Sequence, residues 1–347
     1  DEGIPGLAIL LDAEQAPQLL TRALQVGGAL APGARVAACA TTVGAYKAGV
    51  RATVICRLGY GVEPPPGPSA VVVKVHGDEQ GQRGHEALLS LAQSLLAESP
   101  LLRVPRPLAY LPDPHLSVQE HLEHDTSLKD LFHAAFESGD ADVLEQLSEG
   151  SRASGAALAA LHRCGSGHGE WETWEQDLAG VRKKHASLVS VVPALGGPVA
   201  EALERIAAAA HHAGPADPPG PSHGSFHPAQ VLLGRDRVAF IDFDKSCQAE
   251  PARDLAAFTT KLRHMAVNKV DAHEYDPAGE GEGLVEGLRE VFLGEYRRTA
   301  PLSERRLALW EALELFSLVL SASKKMLGPR TQNCVAMLER HLDDHDL

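Results

Sequence analysis

The chain has 347 residues, 44% of them hydrophobic and 22% charged, with a formal net charge of −14 at pH 7. This is enough apolar sequence to fill two lobes, in the proportions of a folded globular protein rather than a disordered or fibrous one. The acidic balance argues against nucleic acid or an anionic membrane as partner, because both call for an excess of Lys and Arg; it suits a small cationic molecule.

Five scattered cysteines (Cys39, Cys56, Cys164, Cys247, Cys334) without a CxxC pair are expected as free thiols in a reducing compartment. No run of eighteen apolar residues signals a membrane span. The stretch "DEGIPGLAILLDAEQ" has neither a basic region nor a signal-like core, so a cytoplasmic setting is expected.

In chain order, "DAEQAPQLLTRALQ" places Asp12 ahead of Leu19, Leu20 and Leu24 at helical spacing and predicts a first helix. After "APGA" the texture changes. "RVAACATTV", "RATVICRLGY" and "SAVVVKVHG" are short, rich in Val, Thr and Ile, and separated by Gly and Pro, as strands are. "GVEPPPGPS" cannot sustain ladder hydrogen bonds and is expected as a surface connection between antiparallel strands. A helix in "GHEALLSLAQSLLAES" and strands in "PRPLAYLP" and "LSVQEHL" follow.

From "TSLKDLFHAAF" onward the sequence is rich in Ala and Leu and reads as helical, opened by Ser127 and Asp130 at capping-box spacing. Further helices are expected in 151–163, 171–189, 198–213, 254–267, 283–297 and 303–327, interrupted by short strands in "VLLG" and "VAFIDF". The order is a small β-rich part, an extended crossover and a larger helical part.

Three stretches carry candidate chemistry: "AVVVKVHG" with Lys74, "SHGSFHPAQVLL" over 222–233, and "VAFIDFDKSCQAEPARDLAAF" over 238–258. In this order and spacing the chain resembles the aminoglycoside phosphotransferase / choline kinase-like branch of the protein-kinase-like fold. The resemblance runs from about Val36 to about Phe258 and more loosely to the C-terminus. It implies an α+β bilobal chain, with an N-terminal lobe over 1–118 and a helical C-terminal lobe over 119–347. It also implies ATP or another nucleoside triphosphate and Mg²⁺ as cofactors, and a small-molecule acceptor.

Residue by residue, the resemblance makes Lys74 the strand lysine that meets the nucleotide phosphates, with Glu86 twelve residues on as its helix partner. "GAYKAGVRATVICRL" is similar to a "YKPG-R" strand opening; Gly44 and Gly49 would let the backbone approach phosphates, although no GxGxxG is present. "VQEHLEHDTSL" matches the hinge, where Gln119, Glu120, His121 and Leu122 would meet an adenine. The His121/His124 pair has neither Cys nor an HExxH context and is read as polar surface rather than a zinc site.

In kinases of this branch the catalytic loop supplies an Asp that orients the acceptor hydroxyl and an Asn that ligates metal. Here His223, Ser225 and Gln230 take the corresponding places, and Asp242 matches the metal-binding Asp, with Asp244 as a second carboxylate. Asp254 matches a buried Asp that braces the loop. Ser225 cannot act as a base near neutral pH without an activator; it could still orient an acceptor by hydrogen bonding, Asp244 or His227 could take the proton, and loss of the base would slow phosphoryl transfer without necessarily abolishing it. A serine-hydrolase reading fails for want of a G-x-S-x-G elbow. Two readings stay open: a phosphotransferase with an altered loop acting on a small hydroxylated metabolite or antibiotic, and a catalytically impaired pseudokinase that binds nucleotide or a partner.

Overall fold

The structure is a computed structural model that describes residues 1–191, 193, 196–234, 237–267, 280–326 and 328–347. Ala52, Val54, Cys56 and Leu58 are buried and alternate with Arg51, Thr53, Ile55 and Arg57 along the second predicted strand, and that strand is the spine of the first compact unit. β1 (Ala38–Lys47), β2 (Arg51–Gly59), β3 (Ala70–His76), β4 (Pro107–Leu111) and β5 (Leu116–Glu120) form one antiparallel sheet in the order β1-β2-β3-β5-β4. The turn from β1 to β2 pairs Lys47 with Arg51 and needs Gly49 at φ +67, where a side chain is strained. The Pro-rich stretch lies between antiparallel β2 and β3, as expected.

The two faces of this sheet have different tasks. Ala52, Val54 and Cys56 of β2, Val71, Val73 and Val75 of β3, and Leu116 and Val118 of β5 point to one side. There they bury the apolar stripes of α1 (Pro5–Leu11) and α2 (Gln15–Val26), among them Leu7, Leu10, Leu20 and Leu24. The alternation that defines a strand puts Arg51 and Thr53, Lys74 and His76, and Ser117 and Gln119 on the other side, which meets α3 (Gln80–Ala92). A lysine and a histidine are therefore buried because the strand's other side chains are core.

The first unit comprises Asp1–Ser99, Arg103–His124 and Ala239–Ser246. The second comprises Pro100–Leu102, Asp125–Val238 and Cys247–Leu347. The first unit thus runs past the expected limit at residue 118 and takes in the stretch with Asp242 and Asp244. The second is helical: α4 (Leu128–Ser138), α5 (Ala141–His162), α6 (Trp174–Val189), α7 (Pro198–Ala210), α8 (Pro251–Val267), α9 (Glu280–Arg297), α10 (Glu304–Lys324) and α11 (Gly328–Asp344). Ser127 caps α4 as its spacing predicts, accepting from the Asp130 N–H at 3.1 Å and donating to its carboxylate at 2.6 Å.

Helix α10 carries Trp310, Leu313 and Phe316 fully into the core and packs on α6, α7, α8 and α11. Short strands β6 (Thr126–Ser127) with β9 (Val231–Leu233), and β7 (Trp171–Glu172) and β8 (Gly220–Ser222) with β10 (Cys247–Ala249), complete the unit. The expected strand in "VAFIDF" spans Val238–Phe240. Two helices were not foreseen. Helix α1 has seven residues, too few to show a period, and α11 opens at a Gly-Pro that reads as a terminator. Residue 327, at the end of the helix expected over 303–327, lies outside the described residues.

Candidate active site

In the first unit the unlike charges of β2, β3 and residues 239–246 are drawn together. Lys74 is 5% exposed, and its ammonium donates to Asp242 Oδ1 at 2.7 Å and Asp244 Oδ1 at 2.6 Å. Arg51 Nη1 donates to Asp244 Oδ2 at 2.6 Å and reaches Asp242 Oδ1 at 3.4 Å. Burying a lone ammonium this deeply is prohibitive, and the two carboxylates make it tenable. Asp242 holds a left-handed backbone, φ 72 and ψ 55, uncommon outside glycine though tolerated by Asp. That turn is what brings both carboxylates to the same ammonium.

The expected Lys74–Glu86 pair is not formed. Glu86 is exposed on α3 and accepts from Gln82 Nε2 at 2.8 Å. The face that α3 turns inward carries Gly81 and Gly84. A Cβ at Gly84 would stand 2.6 Å from Asp244 Oδ1, and one at Gly81 would stand 2.7 Å from the His76 ring. The helix therefore comes too close to admit a glutamate there, and Asp244 takes the position of acidic partner. His76 Nε2 lies 4.0 Å from Asp244 Oδ2. Burial holds its imidazole below the ordinary histidine range against the pull of Asp244, and Lys74 and Arg51 add to the effect.

Of the hinge residues, Gln119 lies inside the ladder, opposite Val72 and Pro107. The Glu120 N–H donates to the Arg106 carbonyl at 2.9 Å, and its carboxylate accepts from Arg103 at 2.6 Å, so its N–H and its side chain are occupied. His121 and Leu122 lie past the last ladder pair, and His124 Nδ1 sits 3.0 Å from the Leu122 carbonyl. Burial lowers the His121 basicity, with His124 and Arg57 adding to it. Of the four expected adenine-facing residues, the first two lie in the ladder and the last two beyond it.

In the second unit the loop 222–230 is held from three sides. Asp254, fully buried near the start of α8, accepts from the His223 N–H at 2.6 Å, the Gly224 N–H at 3.0 Å and His162 Nε2 at 3.2 Å. Burial alone would raise this carboxyl; its hydrogen bond to His162 and the charges of His162, His223 and Arg253 outweigh that and hold it below the ordinary carboxylate range. Phe226 is buried and stacks on Phe258 of α8 at 5.3 Å, which stacks on Phe292 of α9 at 4.1 Å. Gln230 is buried and its Oε1 accepts from the His227 N–H at 3.1 Å.

Gly224, at φ +80, turns the chain between the braced His223 and the half-buried Ser225. His223 itself is fully buried and packs on the Phe226 ring at 5.5 Å. Its side chain, expected among the catalytic residues, is buried within the loop. Asp254 is the brace the sequence predicts.

Other supporting residues were not foreseen. Arg253 bonds Asp177 at 2.7 Å and Glu172 at 2.6 Å and reaches the Gly224 carbonyl at 3.4 Å. Tyr296 meets His162 Nδ1 at 2.9 Å. Arg51 closes the "YKAGVR" opening, which is the signal that could have found it; Arg253 stands beside Asp254 but nothing in its local sequence marks it.

Among solved structures, a glucosamine kinase superposes with a TM-score of 0.57 at 21% identity, covering 79% of this chain and 73% of its own. A thermostable mutant of an aminoglycoside phosphotransferase gives 0.60 at 13% identity over 88% and 95%. A choline/ethanolamine kinase family protein from Mesorhizobium loti gives 0.55 at 15% over 87% and 88%. At these identities the likeness is one of fold. No curated protein matches the chain. The profile of the phosphotransferase enzyme family, however, matches residues 65–302, which include Lys74, the loop at Ser225 and the Asp242 turn. The chain belongs to that family and has its bilobal protein-kinase-like fold, a β-rich N-terminal lobe followed by a larger helical one.

Proposed function

We propose that this protein is an ATP- and Mg²⁺-dependent phosphotransferase that phosphorylates a hydroxyl group of a small, amine-bearing metabolite or antibiotic. The observation that carries the reading is Lys74 held between Asp242 and Asp244, with Arg51 on the same two carboxylates. Carboxylate oxygens are the hard donors Mg²⁺ prefers, and the Asp242 side chain, 29% exposed, is the more accessible of the two. When bound, the metal supplies positive charge to the phosphates.

Asp242 and the Gln230 amide oxygen would hold the metal, and Lys74 would hold phosphate oxygens. The amide oxygen already accepts the His227 N–H, leaving it one lone pair for that purpose. The end of the hinge at His121 and Leu122, past the last ladder pair, would seat the base. Ser225 would orient the acceptor by hydrogen bonding. Both oxygens of Asp244 accept from cations, which suits it to hold Lys74 and Arg51 rather than to take a proton.

The acceptor class rests on the net charge of −14 and on the relatives. One solved glucosamine kinase holds glucosamine, ADP and phosphate, and an aminoglycoside phosphotransferase holds ADP and hygromycin B. A cytoplasmic setting belongs to the same proposal, on the five free cysteines. Among the described residues no helix is long and apolar enough to cross a membrane.

Ser225 favours one further reading, a nucleotide-holding pseudokinase. Calorimetry with ATP, with and without Mg²⁺, followed by ATP consumption over a panel of amino sugars and amino alcohols, tests both. Metal-dependent binding with turnover is expected. Binding without turnover on any acceptor favours the pseudokinase, and no nucleotide binding at all overturns both.

A further inference from the structure

Arg51 differs from Lys74 in what it has left to offer. Lys74 is buried and donates to Asp242 and Asp244, so it serves first as their fixed counter-charge. The Arg51 side chain is 39% exposed and only its Nη1 is engaged, on those same carboxylates. Its Nε and Nη2 edge presents three further N–H donors that have no partner among the described residues, in the planar fork that matches phosphate oxygens two at a time.

The position of the residue is equally specific. Arg51 is the first residue of β2, directly after the exposed Ala48-Gly49-Val50 turn, and it faces His76 across the ladder. Lys74, two residues before His76 on β3, is its diagonal neighbour on the same face of the sheet, a spacing long side chains bridge. The chain has no GxGxxG whose backbone N–H groups would cradle phosphates at this turn. A guanidinium fixed at the exit of the same turn can do that task with a side chain.

The charges agree. Lys74 and Arg51 balance Asp242 and Asp244, so a metal arriving with a polyphosphate meets a neutral cluster; without Arg51 the cluster would be negative and would repel the phosphates.

We propose that Arg51 is a phosphate-binding residue of the nucleotide site, its Nη1 anchored on Asp244 while its Nε–Nη2 edge takes the phosphates in place of a glycine-rich loop. This rests on the phosphotransferase reading above. The test is displacement of a fluorescent nucleotide analogue by Mg·ATP, Mg·ADP and adenosine from wild type, Arg51→Ala and Arg51→Lys. The charge control is Arg22→Ala, an exposed cation on α2. Melting temperatures of the nucleotide-free proteins are measured alongside.

Arg51→Ala is expected to weaken ATP and ADP by about 10- to 100-fold and to leave adenosine within about twofold, since a charged hydrogen-bonding group is lost only towards phosphate. Arg51→Lys should recover part of the loss, because it restores the charge without the fork. Arg22→Ala should change nothing. A lowered melting temperature with unchanged ATP and ADP affinity would overturn the proposal and reduce Arg51 to a counter-charge. So would equal losses for adenosine and ATP. Failure of the phosphotransferase reading looks different: wild type would then bind none of the three, and the Arg51 assignment would fall with it.

Discussion

Lys74 Nζ lies 2.6 Å from Asp244 Oδ1, and Asp244 occupies the place beside the lysine that Glu86 was expected to fill. Glu86 points to solvent from α3. The acidic partner of Lys74 is thus delivered by the loop that carries Asp242, the proposed metal ligand. This links the order of that loop to the position of Lys74. Asp244→Asn should lower stability by about 1–3 kcal/mol, since a buried charged hydrogen bond is weakened and Lys74 keeps only Asp242 as an anionic partner. Glu86→Gln, an exposed change, should stay within about 0.5 kcal/mol and leave Mg·ATP affinity within about twofold. Chemical denaturation and calorimetry read both. A tenfold loss of affinity in Glu86→Gln would restore the helix pair.

Asp242 and Asp254 should separate cleanly. Asp242→Asn keeps a residue tolerated in the left-handed backbone and removes only the charge. It is expected to cost at least about tenfold in Mg²⁺-dependent nucleotide affinity, with a smaller melting loss than Asp244→Asn because Asp242 is the more exposed of the two carboxylates on Lys74. Asp254→Ala leaves the N–H groups of His223 and Gly224 buried without their acceptor, about 1–3 kcal/mol each, and should act chiefly on stability. Equal melting losses with unchanged nucleotide binding in both variants would contradict the assignment.

If Ser225 marks a lost base on a sound scaffold, Ser225→Asp should raise ATP turnover by up to about 10² to 10⁴-fold, the usual worth of a positioned acid–base group. The loop that would hold the new carboxylate is already anchored at His223, Gly224, Phe226 and Gln230. Wild type turning over an acceptor faster than the variant would show that the serine belongs to a working site. Absence of turnover in both would favour ligand holding.

Acid should destabilise the helical unit in two steps. Burial drives His341 down to about 4, against the pull of Glu311 and the Ala308 carbonyl. The fold therefore holds it neutral, and its contribution is full above the unfolded value near 6.5 and lost as pH falls towards 4. Glu311 is fully buried; burial would raise it, but Arg289, Arg263 and His341 bring it to about 2. Its contribution is full above the unfolded value near 4.5 and is lost as pH falls towards 2. His341→Gln should flatten the stability profile between pH about 6.5 and 4 by about 1–3 kcal/mol while keeping a lower step, which Arg289 and Arg263 still maintain, as read by urea denaturation at each pH. An unchanged upper limb would remove His341 from that step.

The local chemistry of the chain was legible without coordinates. Valine-rich alternation set the strands of the first unit, Ser127 and Asp130 set the start of α4, and the spacing of Lys74, Ser225, Asp242 and Asp254 set their order along the family's motifs. These are properties of a few adjacent residues, or of fixed separations along the chain, and need no knowledge of what packs where.

The partner of Lys74 was not of that kind. It depends on the rotation of α3 about its own axis, which is decided by what the helix buries: Gly81, Gly84, Ala87, Leu88 and Leu91 face inward. Glu86 is two residues beyond Gly84, about 200° further round the helix, and is carried to solvent. Arg51 and Asp244 are separated by most of the chain, and the side-chain burial of His223 follows from Asp254 drawing its backbone inward. Such pairings are selected by the packing of whole elements, because burying a charge is tolerable only where an opposite one can be brought within hydrogen-bond reach.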